Sequence, residues 1–157
     1  HGWNLGEHTL WCKHCCFENA LRSPLIISAP MVNGFEGGTT TPNLTEFIDI
    51  YPTLCNLAGI QLPKHLEGKS LVPAFEKRPI EREALYWEHE GNRAVRAGTW
   101  KLVALNDGPW ELYNVANDRT ETIDLSEKNP DKAKALAAMW ESWAKRAQVL
   151  PRPERNK

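Results

Sequence analysis

Apolar positions along the chain change period several times, and each change predicts an element. Leu25-Ile26-Ile27-Ser28-Ala29 is a short β-branched run closed by Pro30, which suits a strand buried on both faces, as in a parallel sheet. Over residues 49–57, Ile50, Leu54 and Leu57 recur three and four apart. That spacing predicts a helix with Asp49 as N-cap, Pro52 in the first turn where its missing N–H costs nothing, and Gly59 as the stop. After Ile80 the pattern becomes short segments, residues 84–87, 93–97, 100–105 and 110–113. They are separated by Gly91-Asn92, Gly98-Thr99 and Asn106-Asp107-Gly108-Pro109, the spacing of an antiparallel meander. Within residues 100–105 the alternation is imperfect, so the buried face is not decided. A last helix is better specified: Asn129 caps, Pro130 fits the first helical position and Asp131 suits the positive end of the dipole. Leu136, Met139, Trp140, Trp143 and Ala147 then form one apolar stripe, predicted to cover a face of the meander.

The remaining stretches read as connections. Residues 1–17 are rich in Gly, His and Trp without a sustained period, and form a loop that closes into a helical turn near Phe17 to Leu21. Arg22-Ser23-Pro24 stops that turn, because a residue before proline leaves the α region. Residues 31–42 are a surface loop. Residues 61–79, with three prolines, are an irregular connection and a candidate subdomain boundary. The tail after Leu150 is expected to fray.

Composition narrows the functional classes. The chain has 157 residues, enough for a real core, and its 19 Lys+Arg against 20 Asp+Glu give a net charge of −1. No broad field recommends a nucleic acid or an anionic membrane as partner. No apolar run reaches transmembrane length, and no basic-then-apolar signal segment opens the chain. Position 1 is His, not Met, so a processed chain or a piece of a longer one is expected. Compartment is left open between periplasm, secretion and cytoplasm.

Chemistry concentrates in the first eighteen residues, which hold His1, His8, His14, Cys12, Cys15 and Cys16 out of five histidines and four cysteines. Cysteines this crowded do not make a secreted disulfide framework, and vicinal Cys15 and Cys16 would bridge only with strain. Reduced, partly buried thiols are the plain expectation. Soft and imidazole ligands close together also suit zinc. That reading gives a non-catalytic metal-binding or interaction module on the Cys12/Cys15/Cys16/His cluster, although a second ligand pair would have to come from isolated Cys55, His65 or His89. A thioredoxin-like role fits less well, since Cys12-x-x-Cys15 follows a glycine-rich loop instead of a strand.

The whole stretch carries a further signal. His1-Gly2-Trp3-x-Leu5-Gly6-Glu7-His8, Trp11-x-Lys13-His14 and Phe17-Glu18-x-Ala20-x-Arg22-x-Pro24-Leu25-Ile26-Ile27 closely resemble the C-terminal half of the formylglycine-dependent sulfatases, members of the alkaline-phosphatase superfamily. Phe47-Ile48-Asp49-Ile50-Tyr51-Pro52-Thr53-Leu54 and Leu66-Glu67-Gly68-Lys69-Ser70-Leu71 are similar to the family's next helix and the loop after it. Glu88-His89-Glu90-Gly91-Asn92-Arg93-Ala94-Val95-Arg96, Trp100-Lys101-Leu102, Glu111-Leu112-Tyr113 and Asp118-Arg119-x-Glu121 resemble the C-terminal subdomain of bacterial arylsulfatases.

That resemblance implies an α/β fold: residues 1–78 as the incomplete C-terminal part of the catalytic domain, and residues 79–157 as a four-stranded antiparallel sheet packed by the last helix. It implies hydrolysis of a sulfate ester of a small molecule or saccharide by the complete protein. His1 would be the second residue of an Asp-His-Gly motif that binds a divalent cation, usually calcium, with an upstream Asp not in this chain. Lys13 matches the lysine that holds a sulfate oxygen, a task that suits a compact ammonium. His14 and His89 are substrate-binding candidates, the latter on a Glu88-His89-Glu90 hairpin tip. For His8 and His14, pocket-lining and structural readings both stand. Glu18 and Arg22, four apart, are expected to pair, and the tryptophans at 100, 110, 140 and 143 to be core.

The departures matter equally. The formylglycine arises from a Cys or Ser in Cys/Ser-x-Pro-x-Arg, far upstream in the family, and none of Cys12, Cys15, Cys16 or Cys55 is followed two residues on by Pro. No catalytic residue is therefore assigned in this chain, which by itself is expected to be silent. The strand at residues 25–29 should lack a sheet neighbour, leaving an apolar edge for the missing N-terminal half or for a second copy.

Overall fold

The alternation after Ile80 forms the expected meander. In the computed structural model, which describes residues 2–106 and 108–150, β1 (Leu85–His89), β2 (Asn92–Ala97), β3 (Trp100–Ala104) and β4 (Glu111–Asn114) pair antiparallel in the order β1-β2-β3-β4. The tail beyond Leu150, expected to fray, lies outside the described residues, as does His1. Glu90 and Gly91 connect β1 to β2 with φ of 51° and 95°, the left-handed pair of a two-residue hairpin turn whose twist suits the strands. The turn therefore sits one residue earlier than Gly91-Asn92. Asn92 opens β2 opposite His89.

The unclear alternation in β3 has a physical reason, because the sheet is covered on both faces. Val95, Leu102 and Leu112 are fully buried against Leu136, Trp140 and Ala144 of the C-terminal helix. One residue out of phase, Ala94, Val103 and Tyr113 pack with Cys15, Cys16 and Phe17 from the opening stretch. A strand buried on both sides has no polar face to alternate with.

The described residues form four α-helices, α1 (Glu18–Leu21), α2 (Ile50–Leu57), α3 (Val72–Phe75) and α4 (Pro130–Arg146). In α4, Pro130 stands in the first turn, Asp131 follows it, and Lys145 and Arg146 close the helix, which complements the dipole at both ends. Asn129 holds the N-cap position without a side-chain cap, its amide donating instead to the Leu125 carbonyl at 3.2 Å. Leu136 and Trp140 face the sheet as the stripe predicts, with Met139 and Trp143 partly buried against the same cluster. Ala147 falls beyond the helix and is exposed. The Trp140 indole N–H donates to the Trp87 carbonyl at 2.9 Å, and Trp143 stacks on Tyr86 with centroids 5.3 Å apart.

The opening stretch is tied to the sheet by buried charge. Lys101 of β3 is fully buried, with Nζ 2.8 Å from a Glu121 oxygen and 3.4 Å from Glu18. Glu121 also accepts the Glu18 backbone N–H at 2.6 Å, and Arg96 approaches Glu18 at 3.2 Å. Glu18 thus meets Arg96 and Lys101, not the Arg22 that helical spacing offered. Burial pushes the Glu121 carboxyl above its usual range, and the Lys101 ammonium opposes that rise.

By contacts the chain forms two compact units, one of residues 1–24 with 83–157 and one of residues 25–82. The second unit is centred on polar groups. Fully buried Asp49 accepts the Lys69 N–H at 2.8 Å and the Glu46 N–H at 2.7 Å, and pairs with Arg82 at 2.6 Å. Thr53 donates to the Asp49 carbonyl and accepts the Leu71 N–H. A Cβ on Gly68 would lie 2.1 Å from the Ile48 carbonyl oxygen, so this crossing requires glycine. Gly59, at φ 66°, ends α2 as expected.

Two expectations for this unit do not hold within it. Residues 25–29 take no strand and pair with nothing as a ladder, and Ile26 is 91% exposed. Ile50, Leu54 and Leu57 of α2 are exposed, while Pro52, Thr53 and Cys55 are buried. A strand needs neighbours and an apolar stripe needs a facing surface, and the described residues supply neither.

The buried network makes a definite prediction. Lys101→Met leaves two buried carboxylates facing each other and is expected to cost about 3–5 kcal/mol in urea unfolding. Adding Glu121→Gln should recover a substantial part of that loss. If the single change is neutral, the network does not hold the opening stretch.

Candidate functional site

The stretch before α1 is ordered by side-chain clamps in place of regular structure. Asn4 is fully buried. Its backbone N–H donates to the Cys12 carbonyl at 3.0 Å, and its amide donates to that carbonyl at 2.9 Å and contacts the Cys15 sulfur at 3.2 Å. Asn19 donates to the Asn4 amide oxygen at 3.1 Å. The Gly6 N–H reaches the Leu10 carbonyl at 2.9 Å, so the loop closes on itself around a 3-10 turn over Glu7–Thr9. A Cβ on Gly2 would lie 1.5 Å from the Asn19 carbonyl oxygen. Only glycine lets the chain enter here.

This clamp fixes the residues that follow. His8 is half-buried and stacks on Phe17 with centroids 3.7 Å apart and planes 3° apart. Half-buried Lys13 accepts the Cys15 N–H on its carbonyl at 2.9 Å. His14 is exposed, and its Nδ1 lies 2.8 Å from Nε2 of His89 at the end of β1. The two imidazoles stack at 5.0 Å and 24°. Two of the candidate binding residues, 75 positions apart, are thereby brought together. His1 lies outside the described residues.

Asn92 is the residue that sequence reasoning missed. Buried, it donates to the His14 carbonyl at 3.1 Å and the His89 carbonyl at 2.9 Å, and accepts the Asn106 N–H at 3.2 Å. The usable signal was the turn: placing it at Glu90-Gly91 puts Asn92 directly across from His89. The Glu88 carboxylate fastens the same turn by accepting the Gly91 N–H at 2.7 Å.

The cysteines do not assemble the alternative metal cluster of Cys12, Cys15 and Cys16 with histidine. Cys15 and Cys16 are buried in the core with Phe17, and burial pushes the Cys16 thiol up to about 12. All four thiols are free. Among the described residues, the group placed to hold a metal is His14, His89 and Glu90. An oxygen-rich cluster of the kind a hard cation needs is not found among them. Among the described residues, no helix is long and apolar enough to cross a membrane.

A short antiparallel sheet closed by a C-terminal helix is thus preceded by the clamped loop that carries Lys13 and His14. Residues 6–148 match the family model described as N-sulphoglucosamine sulphohydrolase, C-terminal, and the chain belongs to this sulfatase family. A sulfatase of Formosa agariphila is 32% identical over 143 residues, covering 88% of this chain and 28% of that protein. A choline-sulfatase of Rhizobium meliloti is 36% identical over 140 residues, covering 83% and 26%. The crystal structure of Ps i-CgsB in complex with k-i-k-neocarrahexaose superposes with a TM-score of 0.55 at 32% identity, over 61% of this chain and 23% of that one. The chain spans 28% of the length of the Formosa relative.

Asn92→Ala removes three hydrogen bonds at the junction and is expected to cost about 2–3 kcal/mol. Ring-to-ring contacts between His14 and His89 in NMR spectra should disappear with it. Unchanged ring contacts would show that Asn92 does not position the pair.

Proposed function

We propose that this chain is the C-terminal region of an enzyme that hydrolyses sulfate esters, with residues 1–78 finishing its catalytic α/β domain and residues 79–157 forming its C-terminal subdomain. The family match over residues 6–148 carries this reading. In it, Lys13 holds a sulfate oxygen, and His14 and His89 line the ester pocket.

The chemistry favours such residues. As the S–O bond of a sulfate ester breaks, negative charge grows on the non-bridging and leaving oxygens, and an ammonium fixed beforehand stabilises that charge without reorganising. The clamped loop supports such fixing for Lys13, since its backbone lies between the Asn4 and Cys15 contacts. Exposed imidazoles at positions 14 and 89 offer N–H donors to the same anion. A small alcohol or a saccharide is the proposed organic part of the ester, in keeping with the choline-sulfatase and the saccharide-bound neighbour.

Family membership implies a divalent metal and a formylglycine. The proposed cation is calcium, held by His1 with an upstream Asp. The described residues do not by themselves fit it, because two imidazoles and one carboxylate at positions 14, 89 and 90 are a poor set for a hard cation. No step is therefore derived through the metal or the formylglycine.

Partner contacts belong to the same reading. Ile26, Phe47, Ile50, Leu54 and Leu57 are exposed large apolar side chains in the unit of residues 25–82, more than isolated surface hydrophobes explain. The proposed cover is the preceding part of a sulfatase chain, or a second copy when that part is missing.

In a complete sulfatase carrying this region, Lys13→Ala is expected to lower kcat/KM by about 100–1,000-fold with the melting curve unchanged. The 157-residue chain alone should not turn over an aryl sulfate. Full activity of the Lys13 variant would remove it from the sulfate site. Separately, the isolated chain should associate with rising concentration in sedimentation velocity, and a monodisperse monomer throughout would count against the apolar cover.

A further inference from the structure

We infer that His14, His89 and Glu90 form a binding site for a borderline divalent transition metal of the zinc class. The observation is that one ligand atom from each of these three side chains lies within 4.8 Å of the others. His14 Nδ1 and His89 Nε2 face each other at 2.8 Å, the distance at which two imidazoles share one proton. Replacing that proton with a zinc ion asks for nitrogens roughly 3.3 Å apart, given Zn–N bonds of about 2.0–2.1 Å in tetrahedral geometry. Two exposed rings reach that spacing with a small side-chain rotation.

Ligand type selects the metal. Imidazole nitrogen is the preferred donor for zinc, copper and nickel, whereas calcium and magnesium take oxygen. Two imidazoles and one carboxylate leave at least one coordination position to solvent, as in open zinc sites.

The supporting shell is rigid, which a small site needs. Asn92 bridges the carbonyls of His14 and His89 from below. Residues 15–17, directly after His14, are buried against β2 and β3. Glu90 and Gly91 hold the left-handed turn that Glu88 fastens. The ligands thus come from two segments held in place before any metal arrives. None of this rests on the sulfate reading, since the loop, the turn and the ring geometry carry it alone.

The test is metal titration of the untagged 157-residue chain with Zn2+ by calorimetry and with Co2+ by visible absorption. One equivalent is expected to bind, with d–d bands of four- or five-coordinate Co2+ and no thiolate charge-transfer band. His14→Gln and His89→Gln should each weaken binding roughly tenfold or more, and Glu90→Gln severalfold. Cys12→Ser, His1→Gln and His65→Gln should leave it unchanged. As a check independent of variant folding, Zn2+ added to the unaltered chain should shift the ring resonances of His14 and His89 ahead of those of His8 and His65. Binding abolished by Cys12→Ser, binding retained by both histidine variants, or no binding at all would each overturn the site. Zn2+ bound equally well by the Lys13→Ala chain would support a site that stands apart from the sulfate role proposed for Lys13.

Discussion

The Lys101 ammonium is the point on which the larger unit turns. It lies on a β3 side chain fully withdrawn from water, between the carboxylates of Glu121 and Glu18. Such a group is costly to bury and costly to strand, so its value lies in specifying one arrangement. Glu18 is the first residue of α1, and four residues before it stands His14. Fixing Glu18 therefore fixes where the loop of Lys13 and His14 meets the sheet. The apolar contacts of Cys15, Cys16 and Phe17 with Ala94 and Val103 then fill the same face.

How far this was legible in the sequence depended on how local each signal was. The four strands and α4 are written in short-range patterns, so their positions follow within a residue or two. The helical period of α2 was equally local and correct. Which of its sides is buried was not, since Pro52, Thr53 and Cys55 are buried in place of Ile50, Leu54 and Leu57. Leu25 to Ala29 shows the limit most plainly: a β-branched run specifies a strand only where another backbone completes its ladder. Within 100–105 the missing alternation was itself informative. It reflects a strand covered on both sides, by α4 and by the opening stretch.

The site divides in the same way. Lys13 and His14 stand in a motif readable along the chain, and His89 in a second. The convergence of His14 and His89 spans 75 residues and follows from strand register and the Asn92 clamp, neither of which a linear reading reports. The cysteines drew notice by their density, yet density in sequence is not convergence in space. Two of the three turn inward with Phe17, and imidazoles take the exposed positions.

The contact between Glu18 and Glu121 joins positions 103 apart, and this separation imposes an order in time. A ribosome delivers the opening loop first, and the strands and acidic partner that fix it only on the order of ten seconds later. Until residue 121 has emerged, Glu18 lacks Glu121, the acceptor of its backbone N–H, and before residue 101 it lacks Lys101 as well. The local clamps of the opening loop are thus complete early in synthesis, while its anchor to the sheet through Lys101 and Glu121 comes last.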